Sequence, residues 1–337
     1  MLQGRTWIFD NQPVIISTGT VGGPFEAESR IPEAFDILHD DIWMNQSSFE
    51  KAQQIMMEEA SQMAIKNSLI QKEDVQFFIS GDLINQITPS NFAAKTMDIP
   101  YLGLFSACAT SMESLALAAF FLNSNGADYI LSGTASHNAA AEKQFRYPTE
   151  YGGQKPPTAQ WTVTGAGCAL VAKNGIGPKV TSATMGKIVD MGVTDPFNMG
   201  GAMAPAAVDT IEAHLRDLNV DASHYDLIIT GDLGQVGQEA SLDMLQKKNI
   251  GITEAMYEDC GLTIYRKDQP VFSGASGTAS SAVGVYGHYL QLLKEKQLTR
   301  ILVVATGSLH SPLSVQQKDT IPCIAHAVAI EAGCDGS

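Results

Sequence analysis

The chain has 337 residues, 45% of them hydrophobic and 17% charged, so it can bury a sizeable core and is too apolar for a disordered protein. Its 21 lysines and arginines against 36 aspartates and glutamates give a net charge of −15 without any basic run, which argues against a nucleic-acid partner because phosphate binding needs clustered cations. The longest strongly apolar run, Leu115–Leu122, is far shorter than the roughly 20 residues of a membrane-spanning helix.

The cysteines and the amino-terminal residues bear on the compartment. Five cysteines, at positions 108, 168, 260, 323 and 334, form no Cys-x-x-Cys pair and leave one thiol without a partner. The first twelve residues alternate polar and apolar side chains, unlike a signal peptide. Reduced thiols and a cytoplasmic-type location are therefore expected.

Short apolar runs alternate with helical patterns along the chain. A helix is predicted over Ser48–Asn67, where Ser47 and Glu50 have capping-box spacing. A second helix is predicted over Ala206–Leu218, with Pro205 at its start. Because parallel strands covered by helices produce this alternation, the pattern predicts an α/β fold.

The segment Leu102–Leu122 carries the clearest chemical signal. An apolar strand is predicted to end at Ser106 and a helix to begin near Thr110, which places Cys108 at a strand-to-helix turn. Backbone N–H groups at a helix N-terminus favour an anion and can lower the pKa of a thiol. Cys108 is thus a candidate nucleophile or ligand-binding residue, the alternative being a small buried thiol that packs against the helix.

An internal repeat organises the whole chain. Four segments recur in the same order, and one pair ends in an identical Gly-Asp-Leu. The matching pairs are Ser17–Gly22 with Thr181–Gly186, Val75–Leu83 with Tyr225–Leu233, Phe105–Leu117 with Phe272–Gly284, and Tyr129–His137 with Ile301–His310. The repeat predicts two duplicated halves, residues 1–174 and 175–337, joined near Lys173–Pro178, where glycine and proline indicate a linker.

A duplicated α/β unit with a cysteine turn in its first copy resembles the thiolase superfamily, which includes the ketoacyl synthases. The resemblance implies a thiolase-like fold, in which mixed sheets are layered around central helices. It also implies a homodimer that pairs through Tyr101–Phe105. Four stretches are closely similar to the stage V sporulation protein AD family of spore-forming bacteria: Ser106–Ser114, His137–Pro156, Met199–Thr210 and Gln316–Glu331.

Departures from the condensing enzymes concern the groups that would assist Cys108. Gly231 stands where those enzymes carry a histidine, and Ala275 or a neighbour stands where ketoacyl synthases carry an asparagine. Thiolases proper carry a second cysteine in a Cys-x-Gly context, whereas Cys323 is followed by Ile-Ala-His and Cys334 lies in a tail that is expected to fray. Because a thiolate needs a base or a cationic partner, we expect a degenerate relative without turnover.

The family resemblance implies a binding function in sporulation. It implies that the chain binds dipicolinic acid (pyridine-2,6-dicarboxylate) and supports its uptake into the developing spore and its release at germination. The partners would be the other stage V sporulation A membrane proteins, which would hold the chain peripherally at the spore inner membrane. Two alternatives stay open, a Cys108-dependent acyltransferase or condensing enzyme and a pure scaffold for membrane sporulation proteins.

The candidate ligand-binding residues are Cys108, His137, Arg146, Lys155, Asp232 and Ser276. His137 has an alternative interpretation as a cap for local backbone, and the loop with Arg146 and Lys155 has one as a dimer or crossover loop. His310 and His326 are interpreted as structural histidines. No cofactor or resident metal is expected, because the seven histidines show no zinc-site spacing, although calcium could accompany dipicolinate.

Overall fold

Strands and helices alternate through both halves in the computed structural model, which describes residues 1–145 and 155–333. The strands are β1 Leu2–Gln3, β2 Thr6–Ile8, β3 Val14–Gly22, β4 Ile37–Leu38, β5 Phe77–Gly81, β6 Tyr101–Gly103, β7 Tyr129–Ser136, β8 Trp161–Thr162, β9 Gly165–Ala172, β10 Lys179–Thr184, β11 Leu227–Thr230, β12 Tyr257–Asp259, β13 Ala275–Ser276, β14 Arg300–Ser308 and β15 Cys323–Glu331. The helices are α1 Pro24–Ala27, α2 Phe49–Lys66, α3 Thr88–Met97, α4 Thr110–Asn123, α5 Asn138–Phe145, α6 Met199–Leu218, α7 Gly234–Lys247, α8 Cys260–Thr263, α9 Thr278–Val283, α10 Leu290–Lys294 and α11 Pro312–Gln316.

The order of the strands repeats itself, which confirms the predicted duplication. The first half has the order β3-β9-β7-β5-β6, and the second has β10-β15-β14-β11-β12. In each half three neighbouring strands are parallel: β6, β5 and β7 in the first half, and β12, β11 and β14 in the second. The next strand, β9 or β15, pairs antiparallel with the last of these. Gly81 ends β5 and Gly231 directly follows β11, so the two Gly-Asp-Leu segments occupy equivalent strand ends.

The two halves share one central layer. The largest buried cluster joins α4, α9 and α10 to residues of both five-stranded sections, including Ile79 and Ile130 from the first and Ile229 and Val303 from the second. Two further clusters pack α2 and α3 on the outer face of the first section, and α6 and α7 on the outer face of the second. The layered mixed sheets around central helices, expected from the resemblance, are therefore present.

Two helix starts differ from the sequence prediction. The cap of α2 is Ser48, whose hydroxyl accepts from the Lys51 N–H at 3.3 Å, rather than Ser47. Helix α6 begins at Met199, seven residues before the predicted start, and Pro205 lies inside it. The first turn of α6 is held by the Asn198 side chain, which accepts from the Gly201 N–H, and it packs closely enough on α7 that a Cβ at position 200 would overlap backbone.

The segment Lys173–Pro178 connects β9 to β10, which lie on either side of the predicted join; the boundary between residues 174 and 175 stays a prediction. In the described part of the chain, strand β10 pairs with β3 only at Lys179 and Val14, so strand pairing between the two five-stranded sections is confined to a short stretch. No helix within residues 1–145 and 155–333 has both the length and the apolar character needed to cross a bilayer.

Candidate functional site

The turn that carries Cys108 is a tightly specified backbone feature. Strand β6 ends at Gly103 and α4 begins at Thr110, as the sequence predicted for the helix. The Thr110 hydroxyl accepts from the Ser106 N–H at 2.9 Å and donates to the Ala107 carbonyl at 2.8 Å. Ala107 has a φ of 49°, a conformation that non-glycine residues rarely adopt and that is common at functional turns.

The environment of Cys108 raises the pKa of its thiol, whereas a helix N-terminus by itself would lower it. The residue is only 8% exposed, and burial is the largest cause of the upward shift. The second cause is the negative charge of Asp232, to which the thiol donates a hydrogen bond. Backbone N–H contacts act in the opposite direction and are outweighed. The thiol is thus held in its protonated form.

Asp232 is itself a buried carboxyl in an unusual position. It accepts from the Thr306 hydroxyl at 2.7 Å and from the Gly277 N–H at 3.2 Å. Burial raises its pKa to about 7, although these hydrogen bonds lower it. Asp232 therefore lies directly behind Cys108, as a carboxyl that is partly protonated near neutral pH.

The repeat shows why Asp232 is available for this position. In the first half the equivalent Asp82 accepts from the backbone of Ile84 and Ser90 and thereby caps α3. In the second half Asp259 takes the capping role, because it accepts from the Leu233 and Gly234 N–H groups at the start of α7. Asp232 is thus released from capping and faces the cysteine turn.

A cavity opens in front of Cys108, with a volume of about 1000 Å³ that includes its open mouth. Much of its wall is apolar and aromatic, with Phe105, Phe145, Phe197, Met199, Pro312 and Val315. Its polar side chains include Cys108, Glu142, Lys155, Gln160, Ser276 and His310. An apolar pocket with a few converging polar groups is the usual form of a small-molecule site.

Lys155 supplies a positive charge to this wall. Its ammonium group lies 2.7 Å from a Glu142 carboxylate oxygen, and both side chains are largely buried. It also lies 5.2 Å from the centre of the Trp161 ring and 6.0 Å from that of Phe272. The predicted residues Cys108, Ser276 and Lys155 are thus brought together, with Asp232 behind the first of them.

His137 lies apart from the cavity wall. It is fully buried, its Nδ1 accepts from the Ala139 N–H at 3.2 Å, and its Nε2 contacts the Ile42 carbonyl at 2.9 Å. These contacts match its alternative interpretation as a cap, here for α5. Arg146, the other predicted cation, lies outside the described residues.

Gln160 and His310 belong to the cavity wall but were missed as candidate site residues. Gln160 stands in a proline-containing stretch before Trp161 that carries no recognisable motif. His310 was interpreted as structural, although the repeat pairs it with His137. Its ring centre lies 5.8 Å from that of Phe145, and burial lowers its pKa. The repeat was therefore the one signal that pointed to His310.

Comparison with known proteins gives the family. The sequence model of stage V sporulation protein AD matches residues 3–331, nearly the entire chain. The chain belongs to the stage V sporulation protein AD family. A curated relative, stage V sporulation protein AD of Bacillus subtilis (strain 168), is 47% identical over 327 residues, which cover 97% of this chain and 96% of that protein.

Solved structures place this family member in the thiolase-like fold. The 3-oxoacyl-[acyl-carrier-protein] synthase III of Aquifex aeolicus superposes with a TM-score of 0.60 at 13% identity, covering 95% of this chain and 99% of its own. Cerulenin-bound OleA of Xanthomonas campestri gives 0.63 at 14% identity, with 98% and 99% covered. Human mitochondrial 3-ketoacyl-CoA thiolase gives 0.59 at 9% identity, with 96% and 100% covered. At these identities the likeness concerns the fold alone.

The positions at which the sequence is expected to depart from condensing enzymes are closely packed. Gly231 lies against the backbone of Ala305 and Thr306, and its carbonyl accepts from the Ser280 hydroxyl at 2.8 Å. Ala275 is fully buried in β13, which pairs with β8. Among the described residues, no histidine contributes to the pKa shift of Cys108, and no cluster of three or more histidine, cysteine or acidic side chains could hold a metal ion.

Proposed function

We propose that this sporulation protein is a non-catalytic binding protein for dipicolinate, held in the Cys108 cavity, and that it supports dipicolinate uptake into the developing spore. The observation that carries the proposal is the contact between Cys108 and Asp232. Where a condensing enzyme needs a group that promotes the thiolate, this site has a carboxyl that opposes it. A retained cavity with an unreactive thiol suits binding better than acyl transfer.

The cavity wall supports a flat, acidic aromatic ligand. Phe105, Phe145 and Phe197 provide surfaces for a pyridine ring, and Lys155 provides a charge for a carboxylate. Ser276 and the neutral Cys108 thiol add weaker hydrogen-bonding groups on the same wall. Arg146 remains a second cation proposed to contact the ligand. Calcium is proposed to accompany dipicolinate as its chelate.

Isothermal calorimetry with dipicolinate tests the binding function. Wild-type protein is expected to bind, and Lys155→Met to bind roughly ten- to a hundredfold more weakly, because a charge-assisted hydrogen bond to the ligand is lost and the Glu142 carboxylate beside it loses its ion pair with Lys155. Lys248→Met is the matched control, since Lys248 also forms an ion pair, with Glu212 at 2.8 Å, but lies off the cavity wall. Equal affinity of all three proteins for dipicolinate would show that the ligand binds outside the Cys108 cavity.

Intact-mass analysis after incubation with acyl-CoA separates the alternatives. The proposed function predicts no acyl adduct, whereas a Cys108-dependent acyltransferase would give an adduct that Cys108→Ala removes. A pure scaffold would give neither adduct nor dipicolinate binding. On the proposed function the protein attaches to the spore inner membrane peripherally, through the stage V sporulation A membrane proteins.

A homodimer is part of the same proposal, and the edge of the first sheet section supports it. Among the described strands, β6 pairs only with β5, and Leu102 within it is 37% exposed and Phe105 just after it is 52% exposed. Pairing with a second β6 would cover an unpaired edge and these apolar side chains. Light scattering is expected to give about twice the 36.0 kDa chain mass.

Leu102→Lys is expected to shift this species to the 36.0 kDa monomer, because it places a charge at the paired edge. Leu69→Lys is the matched control, since Leu69 is 98% exposed and lies away from β6 in the chain. A wild-type monomer at micromolar concentration, or equal masses for both variants, would contradict the proposed interface.

A further inference from the structure

The orientation of the Gln160 amide is fixed by two backbone acceptors. Its Nε2 donates to the Asp232 carbonyl at 2.7 Å and to the Ala275 carbonyl at 2.9 Å. A flipped amide would place its oxygen against both carbonyl oxygens, so only one orientation fits. The side chain is 5% exposed and lines the cavity.

The carbonyl oxygen of Gln160 is buried without a hydrogen-bond partner. An unsatisfied buried acceptor is costly and uncommon in folded proteins, and it is informative at the wall of a ligand cavity. The wall of the cavity therefore contains an acceptor without a partner, which a ligand could provide.

We infer that Gln160 is a specificity-determining residue that selects a ligand carrying a hydrogen-bond donor. The inference rests on the proposed function and deepens it, because the dipicolinate dianion has acceptors only. An O–H donor can come from a protonated carboxyl group of the ligand or from water bound to a cation that the ligand chelates. Either O–H group would donate the same hydrogen bond to the Gln160 side-chain oxygen, which can only accept.

The charged side chains around the cavity also favour a ligand that is protonated or chelates a metal ion. Lys155 is the only lysine or arginine among the described residues that line the cavity, and Glu142 already lies against it. Asp232 adds a carboxyl behind Cys108. A bare dianion would meet these carboxyl groups and the Gln160 oxygen, whereas a protonated or metal-chelated ligand brings less negative charge and a donor.

Two neutral probes of the same ring test the inference. Pyridine-2,6-dicarboxamide carries N–H donors at the carboxyl positions, and dimethyl pyridine-2,6-dicarboxylate carries none. Wild-type protein is expected to bind the dicarboxamide roughly tenfold more tightly, and Gln160→Met to lose this preference. Gln269→Met is the matched control, because Gln269 is similarly buried and bonded to backbone, at Phe25 and Arg266, away from the cavity wall.

Equal binding of the two probes by wild-type protein would overturn the inference even if Gln160→Met failed to fold. Retention of the preference by a folded Gln160→Met protein would also overturn it. Dipicolinate titrated in EDTA and in calcium chloride then distinguishes the sources. Tighter binding with calcium assigns the donor to chelate-bound water, and unchanged binding assigns it to the acid proton. Failure of dipicolinate in both buffers, with the probe preference intact, would refute the proposed function alone.

Discussion

Gly307→Ala is expected to destabilise the protein by about 3 kcal/mol, because a methyl group at this position of β14 has no room. The added Cβ would overlap the Ser106 carbonyl oxygen and press on the Ala109 N–H and the Ala107 side chain. These are the residues that hold the turn around Cys108. Urea unfolding followed by circular dichroism measures the loss.

The control for this substitution is Gly251→Ala. An added Cβ at Gly251 meets nothing within 4 Å, so this change is expected to alter the free energy of unfolding by less than about 0.5 kcal/mol. Comparable stabilities of the two variants would show that the turn yields to β14. The contact between β14 of the second half and the cysteine turn of the first half would then be deformable.

Asp232→Asn is expected to raise the alkylation rate of Cys108 by about tenfold or more. The carboxyl raises the pKa of the thiol through its charge and its hydrogen bond, and a hydrogen bond to a charged group is worth about 1.5–3 kcal/mol. Iodoacetamide labelling, assigned by peptide mass, measures the rate. Asp82→Asn changes the equivalent carboxyl of the first half, which caps α3, and is expected to leave the rate unchanged.

The difference in stability between wild type and Asp232→Asn depends on pH, because only the wild type has the titrating carboxyl. The sign of this dependence follows from the pKa of Asp232. Burial raises its pKa from 3.8 to about 7, so the folded state keeps a proton that the unfolded state releases. The stability that this group contributes is present below about pH 4 and is lost as pH rises through 7. The free energy of unfolding of Asp232→Asn relative to wild type should therefore increase from pH 5 to pH 8. An unchanged difference would mean that Asp232 is ionised throughout this pH range.

Much of the fold could be predicted because the internal sequence repeat shows that the two halves have the same order of strands and helices. Two segments ending in Gly-Asp-Leu fix equivalent strand ends, at Gly81 and Gly231, and the order of the other segments then fixes the topology. The start of α6 could not be predicted in the same way. Pro205 is a common signal for a helix start, but here tight packing against α7 sustains a helix through it.

The candidate site was predictable where a local turn defines it and not where distant segments meet. Cys108 was found because strand, turn and helix are contiguous in sequence. The contact of Asp232 with Cys108 depends on Asp259 taking over the cap of α7, which no local pattern shows. Gln160 is oriented by carbonyls of Asp232 and Ala275, residues that are remote in sequence, and was therefore missed.

The shared central layer also matters while the chain is being synthesised. Met112, Leu115 and Ala119 of α4 are fully buried, in a cluster that the second half completes. At ordinary translation speed the second half leaves the ribosome on the order of 10–30 s after the first. During this interval the nascent amino-terminal half exposes an apolar helix, so it is prone to aggregate until the second half covers that helix.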